Sequence, residues 1–166
     1  VTLYIVVPLL VVVAILQTTL VPQLTVWGAS ANLPLLIVVS WSLLRGSREG
    51  VIWGFIAGLA VDVLSGAPFG AATLPMIAVG LLAGLGHATV FRAHIALPLV
   101  VMFVTTVIYD LLFLLIVRLS GYPVAWLDSL FRLILPSALV NTMLMPIVFV
   151  LLRWLNMRFG HAEMEW

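Results

Sequence analysis

The chain contains no cysteine and no lysine, only three histidines, and charged side chains make up just 8% of its 166 residues. Without cysteine there is no disulfide, no thiolate metal site and no cysteine nucleophile, and three scattered histidines argue against a histidine-based metal centre. The formal net charge of +1 offers no basic surplus for binding nucleic acid. A soluble domain carries about 25% charged and roughly 45–50% apolar residues, whereas 64% of this chain is hydrophobic. It is therefore not a water-soluble protein. All seven cations are arginine, a bias without a physical account.

What fills the sequence instead is long apolar runs. A bilayer-spanning helix takes about 20 such residues, so 166 residues hold six spans joined by short turns and no separate catalytic head. The runs predict an all-α polytopic membrane protein forming one integral membrane domain over 1–166, with six transmembrane helices at about 1–20, 26–44, 47–64, 71–90, 95–117 and 129–152. The first run lacks a basic leader and a small-residue cleavage site, so it reads as a transmembrane helix and not as a secretory signal. Asn32 and Pro34 predict a bend in the second helix. Ser65-Gly66-Ala67-Pro68-Phe69-Gly70 is a dense turn signal joining the third helix to the fourth. The connector over 118–128, with Gly121, Tyr122, Pro123 and Trp126, suits an interfacial loop with aromatic anchors, and a polar tail follows the sixth helix to Trp166.

The second and third runs could also form a re-entrant hairpin with Arg45-Gly46-Ser47-Arg48-Glu49 at its tip. Three ionisable groups at mid-membrane would cost about 2.5–3.5 kcal/mol each, so two complete crossings are expected. Arginine counting sets the orientation. With the N-terminus inside, Arg45, Arg48, Arg92, Arg153 and Arg158 are cytoplasmic and only Arg118 and Arg132 are outside. That asymmetry places both termini in the cytoplasm.

Gly50, Gly54, Gly58 and Asp62 recur at four-residue spacing along one ridge of the third helix, and Gly80 and Gly84 offer a second ridge on the fourth. Small residues so spaced let another backbone approach, either within one bundle or from a partner's helix. Asp62 falls ~6 Å and Asp110 ~10 Å below the outer ends of their helices at 1.5 Å per residue. Tyr109, Gln17, Thr18 and Asn32 belong to the same outer layer. Asp62, Asp110, Tyr109, Asn32 and Gln17 are thus either a candidate outward-facing polar pocket or a set of hydrogen-bonded packing groups. Asp62 in particular is expected to accept from the start of the Ser65–Gly70 turn or from the N-terminal end of the fourth helix. Arg48-Glu49 and the Asp128/Arg132 pair read as solvated or interfacial charges, and His87 and His94 as interfacial histidines. Gly80, Gly84 and Gly86 lie inside a membrane helix with no preceding strand, so they do not form a dinucleotide loop. No G-x-S-x-G, HExxH or Walker pattern occurs. These readings point to a protein that is not an enzyme, with no catalytic residue, cofactor or metal.

The stretch Arg45-Gly46-Ser47-Arg48-Glu49-Gly50, then Gly54-Phe55 and Gly58, then Asp62-Val63-Leu64-Ser65-Gly66-Ala67-Pro68-Phe69-Gly70, resembles the MreD family of bacterial rod shape-determining membrane proteins. The match is close over residues 45–70 and extends to length, span number and hydropathy elsewhere. The resemblance implies a small non-enzymatic inner-membrane subunit of the cell-elongation complex. Such a subunit pairs with MreC and helps organise MreB, RodA and the class B penicillin-binding protein in peptidoglycan synthesis. It also implies a fold similar to the substrate-binding subunits of energy-coupling-factor vitamin transporters, which supplies the alternative function. Those subunits commonly carry an Ala-xxx-Ala contact motif on the first helix, where this chain has Ala14-xxx-Thr18.

Overall fold

A computed structural model describes residues 2–20, 23, 30–90 and 96–159. The expectations that rest on Val26, Arg92, His94 and the tail to Trp166 lie outside these residues. Every regular element among them is helical: α1 (Thr2–Thr19), α2 (Leu33–Arg45), α3 (Ser47–Ser65), α4 (Thr73–Gly84), α5 (His87–Val90), α6 (Ala96–Leu119), α7 (Trp126–Ser129) and α8 (Leu135–Phe159). A five-residue π-helical segment, Leu130–Ile134, joins α7 to α8 without a break in the rod.

The runs expected from hydropathy are present with shifted ends, and each shift has a local cause. The second helix starts at Leu33 and does not bend at Pro34, because Asn32 caps it by accepting from the Leu35 N–H at 3.1 Å and Pro34 occupies the first turn. The fourth breaks at Leu85-Gly86, where the Leu85 and Gly86 amides donate to Leu82 and Ala83 and tighten the last turn before α5. The last helix is longer than expected at both ends. Trp126 sits in its first turn and not in a loop.

The helix α2 is the centre of the bundle: ten of its 13 residues are buried, from Pro34 to Leu44. Around it stand α1, α3, α4, α6 and α8, which contribute Leu10, Trp53, Met76, Met102 and Met145 to one apolar core. Two helical rods, Ala96–Leu119 and Trp126–Arg158, are long and apolar enough to cross a membrane by themselves. The helices α2 and α4, at 13 and 12 residues, rise only about 20 and 18 Å.

The turn from α2 to α3 is made by Gly46 alone, whose φ of 98° is open to glycine but strained for other residues. Its N–H closes α2 by donating to Ser42 at 2.8 Å. Directly after this hinge, α3 lies against α4 along the two glycine ridges. A Cβ at Gly54 would come within 2.5 Å of the Met76 carbonyl oxygen, and one at Gly58 within 2.5 Å of the Thr73 Cα. Gly50 and Gly80 face each other's backbone, and Gly84 faces Ser47. The ridges therefore pack on one another inside the bundle, which leaves them no surface for a partner's helix.

Candidate functional site

The functional candidates gather at the end of the bundle where α1 and α3 finish and α2 and α4 begin. A helix that begins inside an apolar bundle exposes amide donors that water would otherwise satisfy. Both helices solve this with side chains from the helix before them. At α4 the cap position is held by Ala72, which has no acceptor. Asp62 of α3 supplies it: Oδ2 accepts from the Gly70 amide at 2.9 Å, the Thr73 amide at 3.0 Å and the Thr73 hydroxyl, while Oδ1 accepts from the Ala72 amide at 2.8 Å. The carboxylate is 4% exposed. Four donors and the positive end of the α4 dipole offset the cost of holding it away from water. Of the two expected sets of partners the structure has the start of α4, joined by Gly70 at the end of the turn and not by the start of that turn.

At α2 the same task falls to amides. The Gln17 side chain of α1 accepts from the Leu33 N–H and donates to the Ala31 carbonyl, both at 2.9 Å. Asn141 of α8, fully buried, accepts from the Asn32 N–H at 2.9 Å and donates to the Thr106 hydroxyl of α6 at 3.4 Å. The Asn32 side chain also reaches Tyr109. Gln17, Asn32 and Tyr109 are therefore brought together. Asp110 is adjacent in sequence but turned to Ser137 on α8, and its Oδ2 is buried without a hydrogen-bond partner among the described residues.

At the opposite end, Arg45 and Glu49 pair at 3.2 Å across the hinge, and Glu49 also accepts from the Trp41 indole at 2.8 Å. Trp41 stacks on Trp53, ring centroids 4.5 Å apart, with the Arg45 guanidinium 5.9 Å from the Trp41 centroid. Glu49 is thus tied to Arg45 and Trp41 and only partly exposed, as an interfacial charge. His87 bonds the Leu43 carbonyl through Nδ1 at 2.9 Å, closing the end of α2. The Asp128/Arg132 pair forms as expected at 2.9 Å, with both side chains mostly in solvent.

The residues missed from the sequence are Asn141, Thr106 and Ser137. Each is a single uncharged polar side chain in an apolar run, and its only local signal is that polarity. Among the described residues no group of three or more histidines or acids is arranged to hold a metal ion.

Short helices packed through glycine, apolar rods long enough to cross a bilayer and polar atoms spent on helix ends define a helical membrane protein. The family model for the rod shape-determining protein MreD matches residues 1–155. The chain belongs to the MreD family. Neither the curated proteins nor the solved structures contain a match to it.

Proposed function

We propose that this protein is a non-enzymatic subunit of the bacterial rod-shape complex, crossing the inner membrane six times and scaffolding MreC alongside the peptidoglycan synthesis machinery. The observation that carries this reading is membership of the MreD family along residues 1–155. The chemistry of the polar layer agrees with it. The amides and Asp62 are occupied in capping α2 and α4, which suits a rigid scaffold and leaves few groups for turnover. The vitamin-transporter alternative gains no support from the family match.

In this reading the Asp62 end faces outward and the Arg45 end faces the cytoplasm, with both termini inside. The cytoplasmic end then carries Arg45 and Arg48 at the α2–α3 hinge and Arg153 and Arg158 on the last turns of α8. Because the chain has no cysteine, single cysteines report topology directly. An impermeant maleimide on intact cells should label positions 67 and 122 but not 47; the opposite pattern contradicts the orientation. Depleting the protein from its own host should turn rods into rounded cells, and unchanged shape contradicts the function.

A further inference from the structure

The side chains facing away from the core form apolar belts of two different heights. On α3 the exposed belt runs from Ile52 to Leu64 and on α4 from Leu74 to Leu85. At 1.5 Å per residue these rise about 18 and 17 Å. On α6 the belt runs from Val100 to Leu119, and on the last helix, past the solvated Asp128/Arg132 pair, from Leu133 to Leu151. Those rise about 28 and 27 Å by the same measure. A bilayer's hydrocarbon core is about 30 Å thick. The α6/α8 side comes close to it, and tilt only shortens a helix. The α3/α4 side is too low by roughly 10 Å in any orientation.

The register between the two sides shows where the shortfall lies. The Asn32–Asn141 and Gln17–Leu33 hydrogen bonds fix α1, α2 and α8 at one level. Beyond it α1 has two more helical residues and α3 three beyond Asp62, whereas α6 continues from Tyr109 to Leu119 and the last rod reaches back to Trp126. The two long helices therefore overhang the others by on the order of 10 Å at the Asp62 end. The overhang carries exposed apolar side chains, Leu119 79%, Leu127 76% and Phe131 65% accessible, beside the solvated Asp128/Arg132 pair. Below it on the short side, the groove between α1 and α3 is lined by Val7, Val11, Ile56, Ala60, Val63 and Leu64.

We propose that this protein thins the bilayer locally, drawing the leaflet at the Asp62 end toward the midplane along its α3/α4 face while its α6/α8 face meets a leaflet of ordinary thickness. The occupant of the short face is lipid. Every lining side chain of the groove is apolar, and a flat leaflet would bury the Ser65–Gly70 turn and the capped start of α4 beneath its surface. Bending the leaflet costs only fractions of a kcal/mol per Å of mismatch, less than submerging a polar turn. This inference rests on the membrane-spanning reading above.

The test uses the full chain in phospholipid vesicles of ordinary thickness, with a nitroxide on a single cysteine at Leu64, Leu127 or Leu81, all exposed positions. Depth is read from the relative accessibility of the label to oxygen and to a water-soluble nickel chelate. Thinning predicts that the Leu64→Cys and Leu127→Cys labels both read headgroup depth, while the Leu81→Cys label reads the hydrocarbon. A Leu64 label deep in hydrocarbon beneath a shallow Leu127 label means a flat leaflet and overturns the proposal; so does a Leu127 label in bulk water above a shallow Leu64. A Leu81 label in water overturns the spanning reading itself, and the proposal with it. Labels on Phe69→Cys and Leu119→Cys repeat the comparison with independent side chains, so one poorly folding variant does not decide the outcome.

Discussion

The seam between α3 and α4 and the seam between α6 and α8 hold the same bundle by opposite means. In the first, Gly50, Gly54, Gly58, Gly80 and Gly84 bring backbone against backbone, with no room for even a methyl group. In the second, Met102, Thr106, Ala138, Asn141 and Met145 fill the contact with ordinary side chains, all of them buried. In lipid there is little water-expulsion term to drive association, so close approach and hydrogen bonds must do it. A seam made of backbone has a single fit, whereas one made of side chains can readjust.

The largest effect should come from breaking the rigid seam. Gly54→Leu or Gly58→Leu places a branched side chain where a Cβ alone would meet Met76 or Thr73 backbone, so folded protein should be lost. Met102→Leu on the other seam conserves volume and should cost less than about 1.5 kcal/mol. Yield of monodisperse protein in mild detergent measures both, and equal tolerance would erase the distinction between the seams.

Next in size is the buried cap. Asp62→Leu leaves four donors without an acceptor, at about 1–3 kcal/mol each. Asp62→Asn keeps one oxygen, which can take the three donors of Oδ2, but turns an amine toward the Ala72 N–H. It should cost about one such bond. Because both oxygens accept, it falls between Asp and Leu in thermal stability; Asn as damaging as Leu at equal expression would point to a role for charge beyond capping.

A smaller loss is expected at the opposite end. Glu49→Gln keeps an acceptor for the Trp41 indole but gives up the half-exposed pair with Arg45, at a cost of up to about 1 kcal/mol. Smallest is Asp128→Ala, whose partner Arg132 is 80% exposed, with an effect on the order of 0.2–0.5 kcal/mol. A marked drop in melting temperature for Asp128→Ala would show that the end of the last helix is less solvated than its exposure implies.

These differences also mark what could be read from the residues in order. The four-residue spacing of the glycines identified a face, but spacing cannot say which face meets it, so only the structure pairs the two ridges. Asp62 was legible because an acid a few residues before a turn, in an apolar run, has few places to find donors. The start of α2 was misread: Asn32 and Pro34, read as a bend within a helix from about 26, are the cap and first turn of one that starts at Leu33. Asn141, Thr106 and Ser137 carry no charge and no periodic signal, and their partners lie on distant helices. The same holds for Glu49 and Trp41, joined across a hinge that only Gly46 makes possible.

The central claim is that this rigid bundle serves as a scaffold for MreC. It is tested most directly by tagging the full chain in its own host, purifying it in mild detergent and identifying by mass spectrometry what remains bound. MreC should come along in near-equal amount with the wild-type protein. Recovery of a transporter ATPase module in place of MreC, or of no cell-wall protein at all from well-folded material, would contradict it.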